Sequence, residues 1–316
     1  MSRGQHPTFW PSCPRHTGTA SKHQFVFNDT TSLPCKTSPA LEAVRLALPR
    51  LMGASPALTE AEGLLILWAS IDPKAVDEGA LNDWWTNEHL PERLSLPGFQ
   101  RARRYRALQP QNGQNEYLAL YQTSNLRHLA STDYLHALNH PTRRTAQFMP
   151  LLAKMSRFAC ESISARSLSA PSSDEPANVR DMLFMVVYQV ATPGLEHDLF
   201  RAIGEHIDAA RNGISVAITH TQLAKVDEQV TNIGSASKSY DGVRFKSADV
   251  NEAEPVVADA FIALYGFRSN TTRGLTANND IVSKHFSDAT RLPGLRIRHT
   301  NTYELIASLD RLPVSY

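Results

Sequence analysis

The feature that most constrains the fold is an order of predicted elements that occurs twice along the chain. The hydrophobic pattern predicts strand, helix, strand, strand, helix, strand over residues 61–166, and the same order over residues 181–312. Two short identities mark equivalent positions in the halves, pairing Glu88-His89 with Glu205-His206 and Ala119-Leu120-Tyr121 with Ala263-Leu264-Tyr265. Two related α+β domains are therefore expected, which suits a chain of 316 residues.

The apolar runs and turn signals place the boundaries of these elements. In the first half, strands are predicted over 64–71, 99–108, 116–124 and 158–166, and helices over 81–94, 126–138 and 142–155. In the second half, strands are predicted over 182–190, 215–225, 260–269 and 295–307, and helices over 197–211 and 276–290. Several strands are apolar without clean alternation, which indicates sheets covered on both faces.

Three segments fall outside the repeat. Residues 1–60 are rich in Ser, Thr, Pro and Gly and are predicted to be a disordered leader, either an ordinary tail or an Arg-rich targeting segment. Residues 167–180 are polar and are predicted to be an interdomain linker. Residues 226–259 are an insertion in the second half, and a loop of that length is usually functional or disordered.

Charge and cysteine content exclude several classes of partner. The 32 Lys plus Arg nearly balance the 31 Asp plus Glu, so no overall field attracts nucleic acid or an anionic membrane. No apolar run approaches the roughly 20 residues that span a bilayer. The three cysteines are scattered and form no metal-binding pattern. These features predict a cytoplasmic protein that acts on a small-molecule substrate, with no metal, nucleic-acid or membrane partner.

The segment from Trp84 to Phe99, with the sequence WWTNEHLPERLSLPGF, carries the clearest chemical signal. Pro91 lies late in the predicted helix and should kink it just after Glu88-His89, because proline donates no hydrogen bond and crowds the preceding turn. Pro97-Gly98 should end the segment in a turn.

The same residues resemble a known family. Trp84-Trp85, Glu88-His89, Pro91 and Arg93 precede Leu96-Pro97-Gly98-Phe99, Arg103-Arg104-Tyr105 and Tyr117-Leu118-Ala119-Leu120-Tyr121. This pattern resembles the EthD-like branch of the dimeric α+β barrel superfamily over about residues 64–166, and more weakly over about residues 182–307.

The resemblance implies a fold for each half. A member domain is ferredoxin-like, with a four-stranded antiparallel sheet that helices cover on one face and a partner sheet covers on the other. Two such domains in tandem would cover each other's sheets as an intramolecular barrel, so that a homodimer is not required, although the sequence leaves one open.

The resemblance also implies a pocket between the helices and the sheet, which makes His89 the leading catalytic candidate and Glu88 the next one. The ordinary pKa of His89, near 6.5, suits an acid and base at neutral pH. At helical spacing Trp85, Glu92 and Arg93 lie alongside His89, so Trp85 would form a wall and Glu92 would orient the imidazole. The alternative is that Glu88 and His89 stabilise the helix around Pro91.

Four further residues complete the candidate site. Tyr105 and Tyr121 are candidate catalytic hydroxyls, and each tyrosine of the site is alternatively a core aromatic. Tyr117 and His206 are candidate substrate contacts, and His206 is the second-half counterpart of His89. The arginines of the second strand would either attract a carboxylate or be the solvated part of a strand end, these being Arg101, Arg103, Arg104 and Arg106.

Three functions remain open from the sequence. The leading one is cofactor-free acid/base catalysis of the isomerase, cyclase, decarboxylase or dehydratase type on an apolar carbonyl or polyketide-like compound. The second is a non-catalytic ligand-binding or scaffold protein. The third is haem-dependent or oxygen-dependent chemistry, which other branches of the superfamily perform.

Overall fold

A computed structural model describes residues 62–110, 112–167, 179–190, 194–213, 218–245, 260–269, 284 and 294–312, without the side chains of residues 206–213. All of them belong to one compact unit, Ser55–Tyr316. The predicted leader, most of the predicted linker and nearly all of the predicted helix 276–290 lie outside the described residues.

Eight antiparallel strands form a closed barrel in the order β1-β3-β2-β8-β5-β7-β6-β4. The strands are β1 (Gly63–Ile71), β2 (Phe99–Ala107), β3 (Asn115–Thr123), β4 (Ala153–Ser167), β5 (Arg180–Val190), β6 (Ile218–Val226), β7 (Ala260–Ser269) and β8 (Leu295–Asp310). The first four therefore lie side by side as 4-1-3-2, and the last four follow the equivalent order 8-5-7-6. The α+β class is confirmed.

The two longest strands join the halves. The first part of β4 pairs with β1, and its last residues, Cys160 to Ser167, pair with β6. In the same way β8 pairs with β5 through its first part and with β2 through its last, up to Asp310. Both strands extend beyond their predicted bounds because each has a second partner that the local sequence does not reveal.

Helices on the first half are α1 (Glu78–Trp84), α2 (Leu90–Ser95), α3 (Thr132–Asn139) and α4 (Arg143–Phe148), and the second half adds α5 (Glu196–Gly213) and α6 (Glu228–Ser235). Side chains of Asp77, Ser131, Thr142 and Asp227 accept hydrogen bonds at the starts of α1, α3, α4 and α6. The predicted helix 142–155 was too long, because a 3₁₀ turn containing Pro150 follows Phe148 and β4 begins at Ala153.

Three apolar clusters occupy the described part of the molecule. One fills the barrel and includes Leu64, Ile66, Leu118 and Met185. A second lies between α5 and the second-half strands. The third lies between the first-half sheet and its helices and contains Trp84, Trp85, Tyr121 and Tyr134. Because alternate residues of a strand face opposite sides, each sheet contributes to the barrel interior and to a helix-covered layer.

The insertion at 226–259 folds onto the first half in its described part. It forms α6 and a 3₁₀ turn, Lys238–Tyr240, and its residues 246–259 lie outside the described set. Ser239 donates a hydrogen bond to the Leu138 carbonyl at 2.7 Å, and the Tyr240 ring joins the helix-covered cluster of the first half. Among the described helices, none has the length and apolar character needed to cross a bilayer.

Candidate functional site

One wide turn interrupts the helix that carries His89. Residues Trp85–His89 form a π-helix between α1 and α2, with the Leu90 amide bonded to the Trp85 carbonyl. Pro91 follows directly and has no amide to continue the α-helical pattern. Such π-turns add a residue to one turn and are frequent at functional sites. The predicted irregularity at Pro91 is present, but it lies before the proline.

This turn changes which residue contacts His89. The sequence placed Trp85 beside it, at the four-residue spacing of an α-helix. A π-turn contains one more residue than an α-helical turn, so the residue beside His89 is five positions earlier rather than four. The ring of Trp84 accordingly lies 5.0 Å from the imidazole, centroid to centroid. His89 is 4% exposed. Its Nδ1 lies 3.5 Å from Glu92 Oε2, so the predicted pairing of His89 with Glu92 is present, although the distance exceeds that of a good hydrogen bond.

Glu92 also faces a buried guanidinium. Its Oε1 lies 3.6 Å from Nη2 of Arg93, a side chain that is 2% exposed. Neither Nη1 nor Nη2 of Arg93 has a hydrogen-bond partner among the described residues. Its Cζ lies 5.9 Å from the centre of the Tyr134 ring. The His89 site, as the term is used below, consists of His89, Glu92 and Arg93, with Tyr134, whose ring Arg93 faces, and Tyr121, on whose pKa the charge of Arg93 acts.

Burial dominates the ionisation of this site. It lowers the pKa of His89 to about 4, against the opposing effect of the Glu92 carboxylate. Burial alone would raise the pKa of Glu92, but His89 and the charge of Arg93 bring it below its ordinary value. Burial raises the pKa of Tyr121. At neutral pH the site therefore holds a neutral imidazole, a carboxylate, a guanidinium and a protonated phenol.

Tyr121 connects the His89 site to a stacked arginine. Its hydroxyl accepts a hydrogen bond from the Trp85 indole at 3.4 Å. The guanidinium of Arg104 lies over the adjoining rings of Trp85 and Tyr117, with its Cζ 4.7 Å and 4.8 Å from their centres. Its Nη1 donates to Thr86 at 2.9 Å. The prediction that the arginines of this strand are solvated is wrong for Arg104, because the aromatic rings and the π-turn bury it completely.

A second buried arginine lies on the other side of Tyr134. Arg157 donates to the Tyr134 hydroxyl and to the Tyr240 hydroxyl, each at 3.2 Å, and to the Thr231 carbonyl at 3.0 Å. Arg157 is 3% exposed. Tyr240 and Thr231 come from the insertion, so a segment of the second half completes the surroundings of the first-half site.

The structure separates the remaining predicted residues from His89. Glu88 points to the neighbouring helix, where it accepts hydrogen bonds from Thr142 at 2.7 Å and Arg144 at 3.4 Å. Tyr105 faces the barrel interior, on the opposite side of the sheet. Tyr117 bonds to Glu78. His206 lies in α5, but its side chain is outside the described set. The structure brings His89 together with Glu92, and Trp85 together with Tyr121.

Sequence reasoning placed Arg93 alongside His89, four residues on in the predicted helix, but gave it no role in the site. It missed Tyr134, Arg157 and Tyr240. Arg157 and Tyr240 lie 83 positions apart, and nothing in either segment indicates the other. No group of three or more His, Cys, Asp or Glu side chains able to hold a metal occurs in the described part of the chain.

The depressed pKa of His89 predicts a pH-dependent stability. The pKa of His89 is near 6.5 in the unfolded chain and about 4 in the folded protein. As the pH falls from 7 to 4, His89 is therefore protonated in the unfolded chain before it is protonated in the native one, and the free energy of unfolding should fall by about 3 kcal/mol. Urea unfolding at pH 7 and pH 4 measures this loss of stability. We expect the loss to be about 3 kcal/mol smaller in His89→Gln than in the wild-type protein. Equal losses in the two proteins would contradict it.

Comparison with known proteins bears on the fold. No protein-family model and no curated protein sequence matches the chain. Among solved structures, an anthrone oxidase-like protein is 13% identical, with a TM-score of 0.50 over 82% of this chain and 98% of its own. A provisionally named monooxygenase from Fusobacterium nucleatum is 8% identical, with a TM-score of 0.43 over 82% and 99%. A chlorite dismutase variant from Candidatus Nitrospira defluvii is 11% identical, with a TM-score of 0.40 over 79% and 93%.

These likenesses concern the fold alone. The anthrone oxidase-like protein, at a TM-score of 0.50, shares the fold of this chain, which is an α+β fold built on an eight-stranded antiparallel barrel. The narrower prediction, membership of the EthD-like branch, stays a prediction. The chain has the dimeric α+β barrel fold.

Proposed function

We propose that the chain is a small-molecule enzyme that moves protons by general acid/base catalysis at His89, on an apolar carbonyl or polyketide-like compound and without a cofactor. The observation that carries the proposal is the enclosed row of His89, Glu92 and Arg93. It combines an unprotonated imidazole, a carboxylate that faces one of its nitrogens, and a cation whose donors have no partner among the described residues.

The arrangement suits removal of a proton from a carbon next to a carbonyl group. Glu92 favours the tautomer with hydrogen on Nδ1, which leaves the lone pair of Nε2 as the base. As the proton moves to Nε2, the C–H electron pair becomes part of an enolate, and negative charge collects on the carbonyl oxygen. Return of the proton to carbon or to oxygen then completes an isomerisation.

Two groups are suited to stabilise the enolate oxygen. Arg93 offers its Nη donors from a site with little water. The hydroxyl of Tyr121 stays protonated because burial raises its pKa, and the Trp85 indole donates to its oxygen, which leaves the hydroxyl hydrogen to be donated. Both groups belong to the protein, so this chemistry requires no bound cofactor.

Haem-dependent chemistry is distinguished by a visible absorption band in the purified protein, which the cofactor-free reaction at His89 would not give.

The two halves are also proposed to be tandem ferredoxin-like domains. The equivalent strand orders 4-1-3-2 and 8-5-7-6 and the helical layers against each sheet support this assignment. His89 would then be the base of the first domain, and the second domain would complete the barrel and, through its insertion, the surroundings of Arg157.

The test uses anthrone, a planar ketone with an acidic CH₂ group that the anthrone oxidase-like neighbour suggests as a probe. In deuterated buffer, a base that removes and returns this proton replaces hydrogen by deuterium, which proton NMR follows as loss of the CH₂ signal. We expect the protein to accelerate exchange above buffer and above an equal mass of serum albumin. Quenching of tryptophan fluorescence without faster exchange would instead identify a ligand-binding protein.

A further inference from the structure

We propose that the His89 site binds a planar aromatic monoanion and that Arg93 is its anion-binding residue. The inference rests on the proposed function, because it names the charge and shape of the substrate or intermediate at the same site. The oxygen of a carboxylate, phenolate or enolate would supply the partner that the Nη atoms of Arg93 lack among the described residues.

Arg93 is an unusual buried cation. A guanidinium taken out of water loses several kcal/mol of hydration unless hydrogen bonds and an opposite charge replace it. Arg93 is 2% exposed, yet its nearest carboxylate oxygen, on Glu92, is 3.6 Å away and forms no hydrogen bond with it. The planar pair of Nη donors matches the two oxygens of a carboxylate or one enolate oxygen.

The charges around Arg93 favour one additional negative charge. Arg93 and Arg157 both contact Tyr134, the first over its ring and the second at its hydroxyl. Glu92 is the carboxylate within 4 Å of Arg93, and no described carboxylate lies that close to Arg157, which donates its hydrogen bonds to neutral oxygens. With His89 neutral, two cations face one anion. A bound monoanion would balance the set.

The shape of the ligand follows from the side chains between these charges. The rings of Trp84, Trp85, Phe99, Tyr121 and Tyr134 lie in one buried cluster, in which several adjoin at centroid distances of 5.3 Å to 6.4 Å. The Trp84 ring also lies 5.0 Å from the imidazole of His89. Such rings offer flat faces and edges that pack best against another flat ring. A planar aromatic body with one anionic oxygen group therefore matches both the packing and the charge.

The experiment compares two probes of nearly equal shape, 2-naphthoate and the neutral 2-naphthamide, by isothermal titration calorimetry on the full chain. We expect wild-type protein to bind naphthoate at least about ten-fold more tightly, since a charge-assisted hydrogen bond contributes about 1.5 to 3 kcal/mol. Arg93→Met should weaken naphthoate binding about ten- to a hundred-fold and leave naphthamide binding nearly unchanged.

Two further variants control for charge and shape. Arg127→Met removes an exposed arginine from the first half and should leave both affinities as in wild type. Arg93→Lys keeps the charge but loses the paired donors, so it should retain only part of the preference for naphthoate. Equal binding of the two probes to wild type, binding of neither, or unchanged naphthoate binding by Arg93→Met would overturn the inference.

The wild-type comparison decides the matter even if Arg93→Met does not fold. Naphthoate has no acidic C–H group next to its carboxylate that a base could exchange, so its binding is independent of the reaction at His89. Selective binding of naphthoate without anthrone exchange would support this inference and contradict the proposed function. Anthrone exchange without a preference for naphthoate over naphthamide would support the proposed function and contradict this inference.

Discussion

Replacing His89 by glutamine is expected to lower the rate of protein-catalysed anthrone exchange by about 10² to 10⁴, the usual contribution of a positioned proton-transfer group. Glutamine approximates the size of the imidazole and can still face Glu92, but it cannot accept a proton at neutral pH. The measurement is the exchange rate at saturating and at limiting anthrone. A large loss at both concentrations would show that His89 acts in the transition state rather than in binding alone.

The matched control is His136→Gln, the same change at an exposed histidine of α3. It should exchange anthrone at the wild-type rate. Thermal unfolding at pH 7 should be similar for all three proteins, because His89 is uncharged there and glutamine fills a similar volume. A folded His89→Gln protein that exchanges anthrone as fast as wild type would refute the assignment of His89 as the base.

A pH profile adds a signature that a structural role for His89 would not give. Because the free protein holds the pKa of His89 at about 4, the exchange rate at limiting anthrone should stay level above about pH 5 and fall with a midpoint near pH 4, after subtraction of the buffer rate. A base with an ordinary histidine pKa would instead lose activity below about pH 6.5. A midpoint near 6.5 would show that His89 is less enclosed in solution.

The sequence predicted the strands well because their signal is local. The run from Leu64 to Ile71 is apolar on both faces, and the structure shows why: one set of side chains fills the barrel and the other set packs under the helices. The turn between β2 and β3 contains Asn112-Gly113, a dipeptide typical of β-hairpins, and both residues adopt the positive φ values that such turns require, 52° and 74°. The closed barrel, in contrast, was predicted only from the family resemblance and not from the pattern of the residues.

The candidate site was predicted in part, for a reason visible in two residues. His89 and Glu92 lie three positions apart on one helix, so their pairing follows from helical geometry. The π-turn was not foreseen, and it gives Trp84 the contact with His89 that the helical spacing assigned to Trp85. One extra residue in a turn rotates every later side chain, and no local pattern specifies it.

The buried arginines were harder to predict because their partners are distant in the sequence. Arg104 is held by aromatic rings from the π-turn and β3, and Arg157 by an insertion that read only as a polar loop. A lone arginine in a strand is usually solvated, and only the tertiary structure reveals the phenols and carbonyls that replace water. The insertion therefore acts as part of the first-half site, through Tyr240 and α6.

The close contact between Gly234 in α6 and the Arg157 side chain predicts a large loss of stability when the glycine is replaced. A Cβ atom placed on Gly234 would lie 2.7 Å from Cζ and 2.8 Å from Nη1 of Arg157, and closer still to Nη2. We expect Gly234→Ala to lower the free energy of unfolding by about 3 to 5 kcal/mol, because it displaces a buried guanidinium from its hydrogen bonds with Tyr134 and Tyr240. Urea unfolding measures the change, provided that the free energy of unfolding depends on urea concentration with the same slope in both proteins.

The control separates this clash from an ordinary effect of glycine. A Cβ atom placed on Gly204, in α5, would meet nothing within 4 Å, so Gly204→Ala should stabilise the protein by about 0.5 to 1 kcal/mol through helix propensity. In an Arg157→Met background, where the guanidinium is absent, Gly234→Ala should cost about 1 kcal/mol or less. An equal cost in both backgrounds would mean that the alanine acts on the α6 backbone, and that the insertion does not support the site through Arg157.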